Sequence, residues 1–352
     1  MPSGDFNNLR TSITGRAISR RRLLAAVPAL GLIAAGFAAC GDDDDDDRGN
    51  ASTSGSNGAT PDAPASAGAE SAYPVTIEHE FGSTTIESAP KRIVAAGFNE
   101  VDFLLAFGVV PVGVRDFIGQ YQEDRRPWAV DLIGDAELVI VGGQEIDFEQ
   151  VAALDPDLIM AVYAFLDEGA YEKLSGIAPT VAGPAGGATW KEQTRITGRA
   201  LGQEARAEDL IREIDEHFER AKNENPGFNG KSLAIVWGVG NVGEGYYLLP
   251  ETDLRAQFFY NLGFVPPEQT GRLSVEQASA LDQDVIVVFG WTPEQLAGDP
   301  LFQGLPAVQA GRVIYYSWDS DFAGALGFSS PLSIPYAIDL VVPELAAAVK
   351  RG

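Results

Sequence analysis

Cysteine, histidine and basic residues are what this chain of 352 residues has least of. A single cysteine, Cys40, excludes a disulfide framework and a cysteine-bound metal centre. The two histidines, His79 and His217, fall in a predicted hairpin and on a predicted long helix. A zinc or manganese site wants several imidazoles, so these two read as surface residues and no metal ligands are assigned. Lysine plus arginine number 25 against 50 Asp plus Glu, a net charge of −25. Phosphate binding needs a basic surface, which excludes nucleic acid as a partner. Hydrolysis lacks support as well: Phe328-Ser329-Ser330 has no nucleophile-elbow glycines and no histidine near it in sequence.

What is present is enough apolar residue, 45%, for real cores, and enough length for two domains. Residues 1–40 read as an export signal: five arginines, among them Arg20-Arg21-Arg22, precede the uncharged run Leu23 to Ala39. Ser19 to Leu24 resembles a twin-arginine motif, with an ordinary Sec signal as the alternative. Phe37-Ala38-Ala39-Cys40 resembles a bacterial lipobox, in which Cys40 would take the lipid and become the new N-terminus. Cleavage there removes five arginines and one aspartate, taking −25 to −29. Residues 41–72 begin with Asp42 to Asp47 and continue in Ser, Ala, Gly, Thr and Pro. So little apolar surface cannot offset chain entropy, and a disordered tether is expected.

The ordered chain is organised about residues 204–225. Leu210, Ile211, Ile214, Phe218 and Ala221 have helical spacing, with Glu208/Arg212 and Glu216/Arg220 in supportive order between them. Asn225-Pro226-Gly227 stops the helix, a rod of about 30 Å. On its two sides the sequence repeats: EQVAALDPDLIM from Glu149 and EQASALDQDVIV from Glu276 agree at seven of twelve positions. Two similar α/β lobes, 73–203 and 226–352, with a rigid helical spacer follow from this duplication.

In the first lobe YPVTIEHEFGSTTIE predicts a hairpin. Strands at Arg92–Ala96 and Val109–Val114 flank a helix from Glu100 to Phe107, a rhythm that makes a parallel sheet. Ligands on such sheets lie at the carboxyl ends of the strands, which puts Gly97 to Asn99, Arg115 and the loop around Tyr163 on one rim. In the second lobe Ser232–Trp237 opens the sheet, and Ser333–Val349 closes the chain as a helix interrupted by Pro335 and Pro343. Gly238-Val-Gly-Asn-Val-Gly243 is a literal dinucleotide fingerprint after a strand. Its pyrophosphate site needs a helix to open there, whereas a strand-like run ended by Pro250 follows, so a dinucleotide enzyme is a remote alternative.

APKRIVAAGFNEVDFLLAFGVVPVGVRDF, the paired EQxxALxxDxI segments, the central helix and FSSPLSIPYAIDLVVPEL together resemble the iron-siderophore group of ABC-transporter substrate-binding proteins. The resemblance covers roughly residues 73–350. It implies two Rossmann-like lobes with parallel sheets, bridged by one long rigid helix, and a ligand cleft between them. It further implies a monomeric, extracytoplasmic, lipid-anchored protein without catalysis or cofactor. Such a protein delivers a ferric siderophore, or alternatively haem or cobalamin, to a membrane permease. Glu149 and Glu276 match the family's surface glutamates that dock on the permease subunits; the bland alternative is a helix-start carboxylate facing the dipole. A siderophore saturates its own iron, so the cleft needs aromatic walls and a few donors. The candidates are Phe98, Asn99, Arg115, Tyr163, Trp237, Tyr247, Trp318 and Phe322, with Trp128, Trp190 and Trp291 as further aromatics that could equally be core. Arg115, ending a strand on the rim, could bond ligand oxygens or pair with Asp116.

Overall fold

The structure is a computed structural model that describes residues 72–116 and 126–352, all within one compact unit. The predicted leader, Cys40 and the tether up to residue 71 lie outside the described residues.

The first lobe opens with an antiparallel hairpin, β1 (Val75–His79) and β2 (Gly82–Ile86). Ile77 and Ile86 turn into the core, as the alternation requires. Its main sheet has five strands: β3 (Ile93–Ala95), β4 (Gly113–Val114), β5 (Val139–Ile140), β6 (Leu158–Ala161) and β7 (Thr180–Ala182). They lie in the order β5-β4-β3-β6-β7 and every neighbouring pair is parallel. Helices α1 (Glu100–Ala106), α2 (Val130–Ile133), α3 (Phe148–Ala153), α4 (Glu168–Ser175) and α5 (Trp190–Ala200) complete the lobe. Separate apolar clusters fill the two faces of the sheet, so β3 and β6 are continuously buried rather than alternating. The strand predicted over 109–114 is shorter: Pro111, without an N–H for the ladder, leaves only Gly113–Val114 paired.

After α6 (Glu204–Glu224) the second lobe repeats the pattern with β8 (Leu233–Trp237), β9 (Tyr246–Leu248), β10 (Gly271–Leu273), β11 (Val285–Phe289) and β12 (Val313–Tyr316). The order is β10-β9-β8-β11-β12, the same permutation as in the first lobe. The duplicated segments therefore occupy one place twice: each supplies the strand beside its lobe's first sheet strand, β6 beside β3 and β11 beside β8. One difference corrects the parallel expectation. β8, β11 and β12 are parallel, whereas β9 and β10 run antiparallel to their neighbours. Between β8 and β9 there is only a single 3-10 turn, Val242–Glu244, too short to carry a parallel crossover. The strand must turn straight back, and the fingerprint glycines serve that turn. Helices α7 (Leu254–Asn261), α8 (Pro293–Leu296), α9 (Pro300–Gln303), α10 (Pro306–Gln309) and α11 (Asp321–Phe328) lead to α12 (Ser333–Val349). The last is continuous, not interrupted. Pro335 lies in the first turn, where a missing N–H is harmless, and Ile338, Val341 and Leu345 anchor the helix on the core around Pro343.

The stripe on α6 is divided between the lobes. Ala207 and Leu210 belong to the first lobe's core; Ile214, Phe218 and Ala221 belong to the second's. The surface ion pairs differ from the predicted ladder: Glu208 meets Arg195 of α5 at 2.7 Å, and Arg212 meets Asp209 at 2.7 Å. Such exposed pairs contribute little, so packing holds the helix.

A second tie joins the lobes where α11 gives way to α12. Phe328 packs in the first lobe's core, under Trp128 and Arg126. Ser330 donates to Asp102 Oδ2 at 2.9 Å; Trp128 Nε1 donates to the same oxygen at 2.6 Å, and Arg126 Nη1 reaches Oδ1 at 2.5 Å. Nearby, Asn99 Nδ2 donates to the Phe328 carbonyl at 3.0 Å and Gln193 Nε2 donates to Asn99 Oδ1 at 2.9 Å. Asp102 and Arg126 are both fully buried, so removing the carboxylate takes the ion-pair partner from a guanidinium in a dry interior. Asp102→Ala should therefore lower unfolding stability by about 3–5 kcal/mol, read as a drop in denaturant midpoint. A loss below about 0.5 kcal/mol, the range of ordinary surface changes, would show that the network holds nothing.

Candidate functional site

The second lobe builds its rim from the last row of its sheet. Trp237 ends β8, Phe289 pairs beside it at the end of β11, and Tyr316 beside that at the end of β12. Because Val236 pairs with Leu248, Tyr247 falls next to Trp237 on the other side, and Arg272 of the edge strand lies opposite Tyr247. All project to the face packed by α6, α7, α11 and α12. Trp318, just past β12, sets its ring edge-on to Trp237 at 4.4 Å and stacks on Phe289. That seat requires glycine at 290: its φ is +83° and a Cβ there would overlap the Trp318 indole.

Above Trp237 lies Arg255, in the first turn of α7, with its guanidinium 4.0 Å from the ring centroid. Asp253 caps the helix by accepting from the Arg255 N–H and also grips the side chain, Nε to Oδ1 at 2.8 Å and Nη2 to Oδ2 at 2.5 Å. The arginine is thus fixed in place as one half of a neutral pair.

The facing rim comes from the loop after β6. Tyr163 is 36% exposed and Phe165 is 72% exposed, with their rings 4.7 Å apart. Phe165 has φ +51°, a left-handed conformation rare for so large a side chain, and strain of this kind gathers at ligand sites. Burial raises the Tyr163 phenol's pKa, with Arg255 lowering it and Asp253 raising it, so charges of the second lobe act on a residue of the first. Beneath this loop the fully buried Glu100 accepts from the Tyr163 N–H at 2.5 Å and from the Asn99 N–H at 3.3 Å. Gly97 must be glycine because a Cβ there would overlap the Glu100 carboxylate.

Of the predicted ligand residues, Tyr163, Trp237 and Trp318 stand on the facing rims, with Tyr247 half-buried at the outer end of the row. Four others do not. Arg115 is 4% exposed and turned inward: it donates to the Gly143 carbonyl at 2.7 Å, the Ala164 carbonyl at 3.0 Å and the Gln144 carbonyl. Buried guanidinium donors must find acceptors, and here main-chain oxygens of two rim loops supply them, so neither ligand nor Asp116 takes that role. Phe98 is buried as the lid on Arg115, 3.9 Å from it. Asn99 is buried in the inter-lobe tie. Phe322 lies in the second lobe's core among Phe258, Phe259, Phe289 and Tyr316. Of the further aromatics, Trp291 is core with its indole N–H on the Gly240 carbonyl, Trp128 serves Asp102, and Trp190 packs against the second lobe's core. Sequence reasoning missed Phe165, two residues from a named candidate, and Arg255, which begins a helix and carried no rim signal. His79 bonds Thr84 in the hairpin and His217 meets Asp339 of α12. Among the described residues no three His, Cys, Asp or Glu gather to hold a metal ion, and no helix is long and apolar enough to cross a membrane.

The model of the family described as Periplasmic binding protein matches residues 93–319, from β3 through β12. The chain belongs to that family. This periplasmic binding protein family member is 27% identical over 258 residues to the Fe(3+)-citrate-binding protein of Bacillus subtilis, covering 70% of this chain and 78% of that one. It superposes on a periplasmic solute binding protein from Mycobacterium smegmatis with TM-score 0.71 at 36% identity, covering 78% of this chain and 98% of that one. An iron-uptake binding protein from Streptococcus pneumoniae, solved in complex with ferrichrome, aligns with TM-score 0.68 at 25% identity, covering 79% and 99%. In the binding protein described here the cleft lies, as the family fold has it, between two lobes at the carboxyl ends of their strands.

Burial pushes the Glu100 carboxyl up from 4.5 to about 7, against the opposing pull of the Tyr163 and Asn99 N–H groups and of Arg115. The folded state then holds a proton that the unfolded chain has released. The contribution to stability is full below pH 4.5 and is lost as pH rises to about 7. Relative to the wild type, Glu100→Gln should remove a decline of about 3 kcal/mol across that window. Parallel stability-versus-pH curves for the two proteins would contradict the assignment.

Proposed function

We propose that this protein captures a ferric siderophore outside the cytoplasm and hands it to an ABC permease for iron uptake, binding without catalysing. The observation that carries the reading is the pair of facing rims, Tyr163 and Phe165 against Trp237 and Trp318, with the Arg255–Asp253 pair between them. Such walls suit a bulky organic chelate whose iron already has its ligands, since the cleft offers contact area and donors rather than metal-ligating side chains. Membership of the family supports it, as do relatives named for Fe(3+)-citrate and siderophore binding and one solved with ferrichrome. Attachment by lipid at Cys40, after twin-arginine or Sec export, rests on the lipobox-like sequence and the acidic tether beyond it. Intrinsic tryptophan fluorescence should change saturably with at least one ferric chelate from a panel of hydroxamate, catecholate and citrate complexes, haem and cobalamin. Silence across the whole panel would refute the transport reading.

Glu149 and Glu276 are the proposed docking residues. Both are exposed and both stand in the first turn of a short helix, Glu149 in α3 after the cap Asp147 and Glu276 in the 3-10 helix Val275–Leu281 after Ser274. α3 follows β5, and the 3-10 helix follows β10, which runs parallel to β8 through two antiparallel pairings. Each glutamate therefore stands at the start of the helix that follows a strand's carboxyl end, one per lobe, an arrangement that suits a receptor of two subunits. Alanine at either position should leave ligand affinity intact and stability within about 0.5 kcal/mol. Uptake by cells should fall, most in the double variant and further with lysine at both positions, where the new charge would repel a basic receptor. Wild-type uptake in the double variant, with a slight loss of stability, would instead identify plain helix-start carboxylates.

A further inference from the structure

We propose that Glu100 is a positioning residue for ligand capture. Its ionised carboxylate holds the rim loop of Tyr163 and Phe165 in the shape that grips the chelate, so capture tightens as the carboxylate loses its proton. This rests on the siderophore reading of the site. Glu100 itself is buried beneath that loop and touches no ligand.

The loop is fastened to the body of the first lobe through three main-chain groups. The Tyr163 carbonyl accepts from the Phe98 N–H at 3.0 Å, and the Ala164 carbonyl accepts from Arg115 Nη1 at 3.0 Å. The Tyr163 N–H donates to Glu100 Oε1 at 2.5 Å. An amide does not titrate near neutral pH and a guanidinium stays charged, so the first two fastenings are fixed. The third can change with proton uptake. It acts two residues from Phe165, whose φ of +51° persists only where the surroundings over-determine it. The Phe165 ring lies 6.0 Å from Phe98 and 4.7 Å from Tyr163, so a shift of the Tyr163 main chain carries both exposed rings.

The site is built for the ionised form. Oε1 faces the Tyr163 N–H and Oε2 faces the Asn99 N–H at 3.3 Å, one donor to each oxygen. A proton on either oxygen adds a third hydrogen where two already point, and weakens that oxygen as an acceptor. The carboxylate also lies against Gly97, where a Cβ would overlap it. Burial in the dry interior nevertheless prevails over the N–H donors and over Arg115 at the end of β4, lifting the carboxyl to about 7. The Tyr163 phenol above it is raised from 10 by burial and stays neutral here, under the opposed influences of Arg255 and Asp253 from the second lobe. On α1 itself Asp102 is taken up by Arg126, Trp128 and Ser330. The proton is thus exchanged near neutrality, and with it the strength of one fastening of the rim.

Ferrichrome is the probe, since its iron-bound hydroxamates do not titrate near neutral pH. Tryptophan fluorescence should report binding about tenfold weaker at about pH 5.5 than at about pH 8, as the ionised fraction of Glu100 falls. Glu100→Gln keeps one acceptor oxygen and cannot ionise, so it should bind weakly and equally at both pH values. Any structural role would give the weakening; the loss of pH dependence is specific to the titrating anchor. Should another member of the panel bind instead, comparison of the variant with the wild type cancels any titration of the chelate itself. In ligand-free protein labelled with 15N-tyrosine, the Tyr163 amide signal should move with pH around 7 in the wild type, and this arm stands even if the variant does not fold. A wild-type affinity that does not change with pH, or a Tyr163 amide that does not titrate, would overturn the proposal. Failure of every chelate to bind would overturn the siderophore reading itself, while the amide titration would still decide whether Glu100 controls the loop.

Discussion

Everything in this molecule depends on one apolar stripe that two cores share. A helix whose buried face served a single lobe would let the other hang from a linker, and the cleft would have no fixed width. In α6 the change of allegiance occurs within a few residues, between Leu210 and Ile214, so the same rigid cylinder is packed into both lobes. Bending it at that point would uncover apolar surface in both cores at once. Burial of an aliphatic or aromatic side chain is worth roughly 1.5–3 kcal/mol each, so the resistance is of the order of several kcal/mol.

The second tie turns that rod into a frame. Phe328 and Ser330 come from the second lobe's sequence but are buried with the first lobe's Asp102, Arg126 and Trp128. Two connections of different kind, one an apolar helix stripe and one a buried hydrogen-bonded anchor, therefore span the two lobes. Large hinge closure would have to pull Ser330 from the buried Asp102 carboxylate, break the Asn99–Phe328 bond and uncover Phe328. Motions compatible with both are small, and the adjustable parts lie at the rims, where Tyr163 and Phe165 are exposed.

The duplication was legible in the sequence because it is written in identity: Glu149–Met160 and Glu276–Val287 share residues, and the sheets repeat strand order to match. The bridging helix was legible because its period is long and its stop is a proline. The antiparallel return of β9 was not read, although its cause, a connection too short for a crossover, is visible in the glycine-rich run after Trp237. For the site, position along a strand could be read and orientation about it could not. Trp237 and Phe289 both end strands in one row, yet one is half-buried and the other fully buried: Trp318 touches both, while Tyr316 and Phe322 pack on Phe289. Arg115 shows the same gap in polar form. Its place at a strand end was foreseen, but nothing local says that the loops holding Gly143, Gln144 and Ala164 would converge on it.

That convergence shows what the two described rim arginines do. Arg115 bonds several carbonyls and so fixes two loops of the first lobe; Arg255 bonds one carboxylate and so fixes the turn that opens α7 in the second. In both cases the guanidinium's planar fork sets the position of main chain beside the cleft. Freed from its carbonyls, Arg115 would be available to an anion, but the loops carrying Phe98 and Phe165 would lose their common anchor. The shape of the aromatic rim is thus a consequence of those bonds.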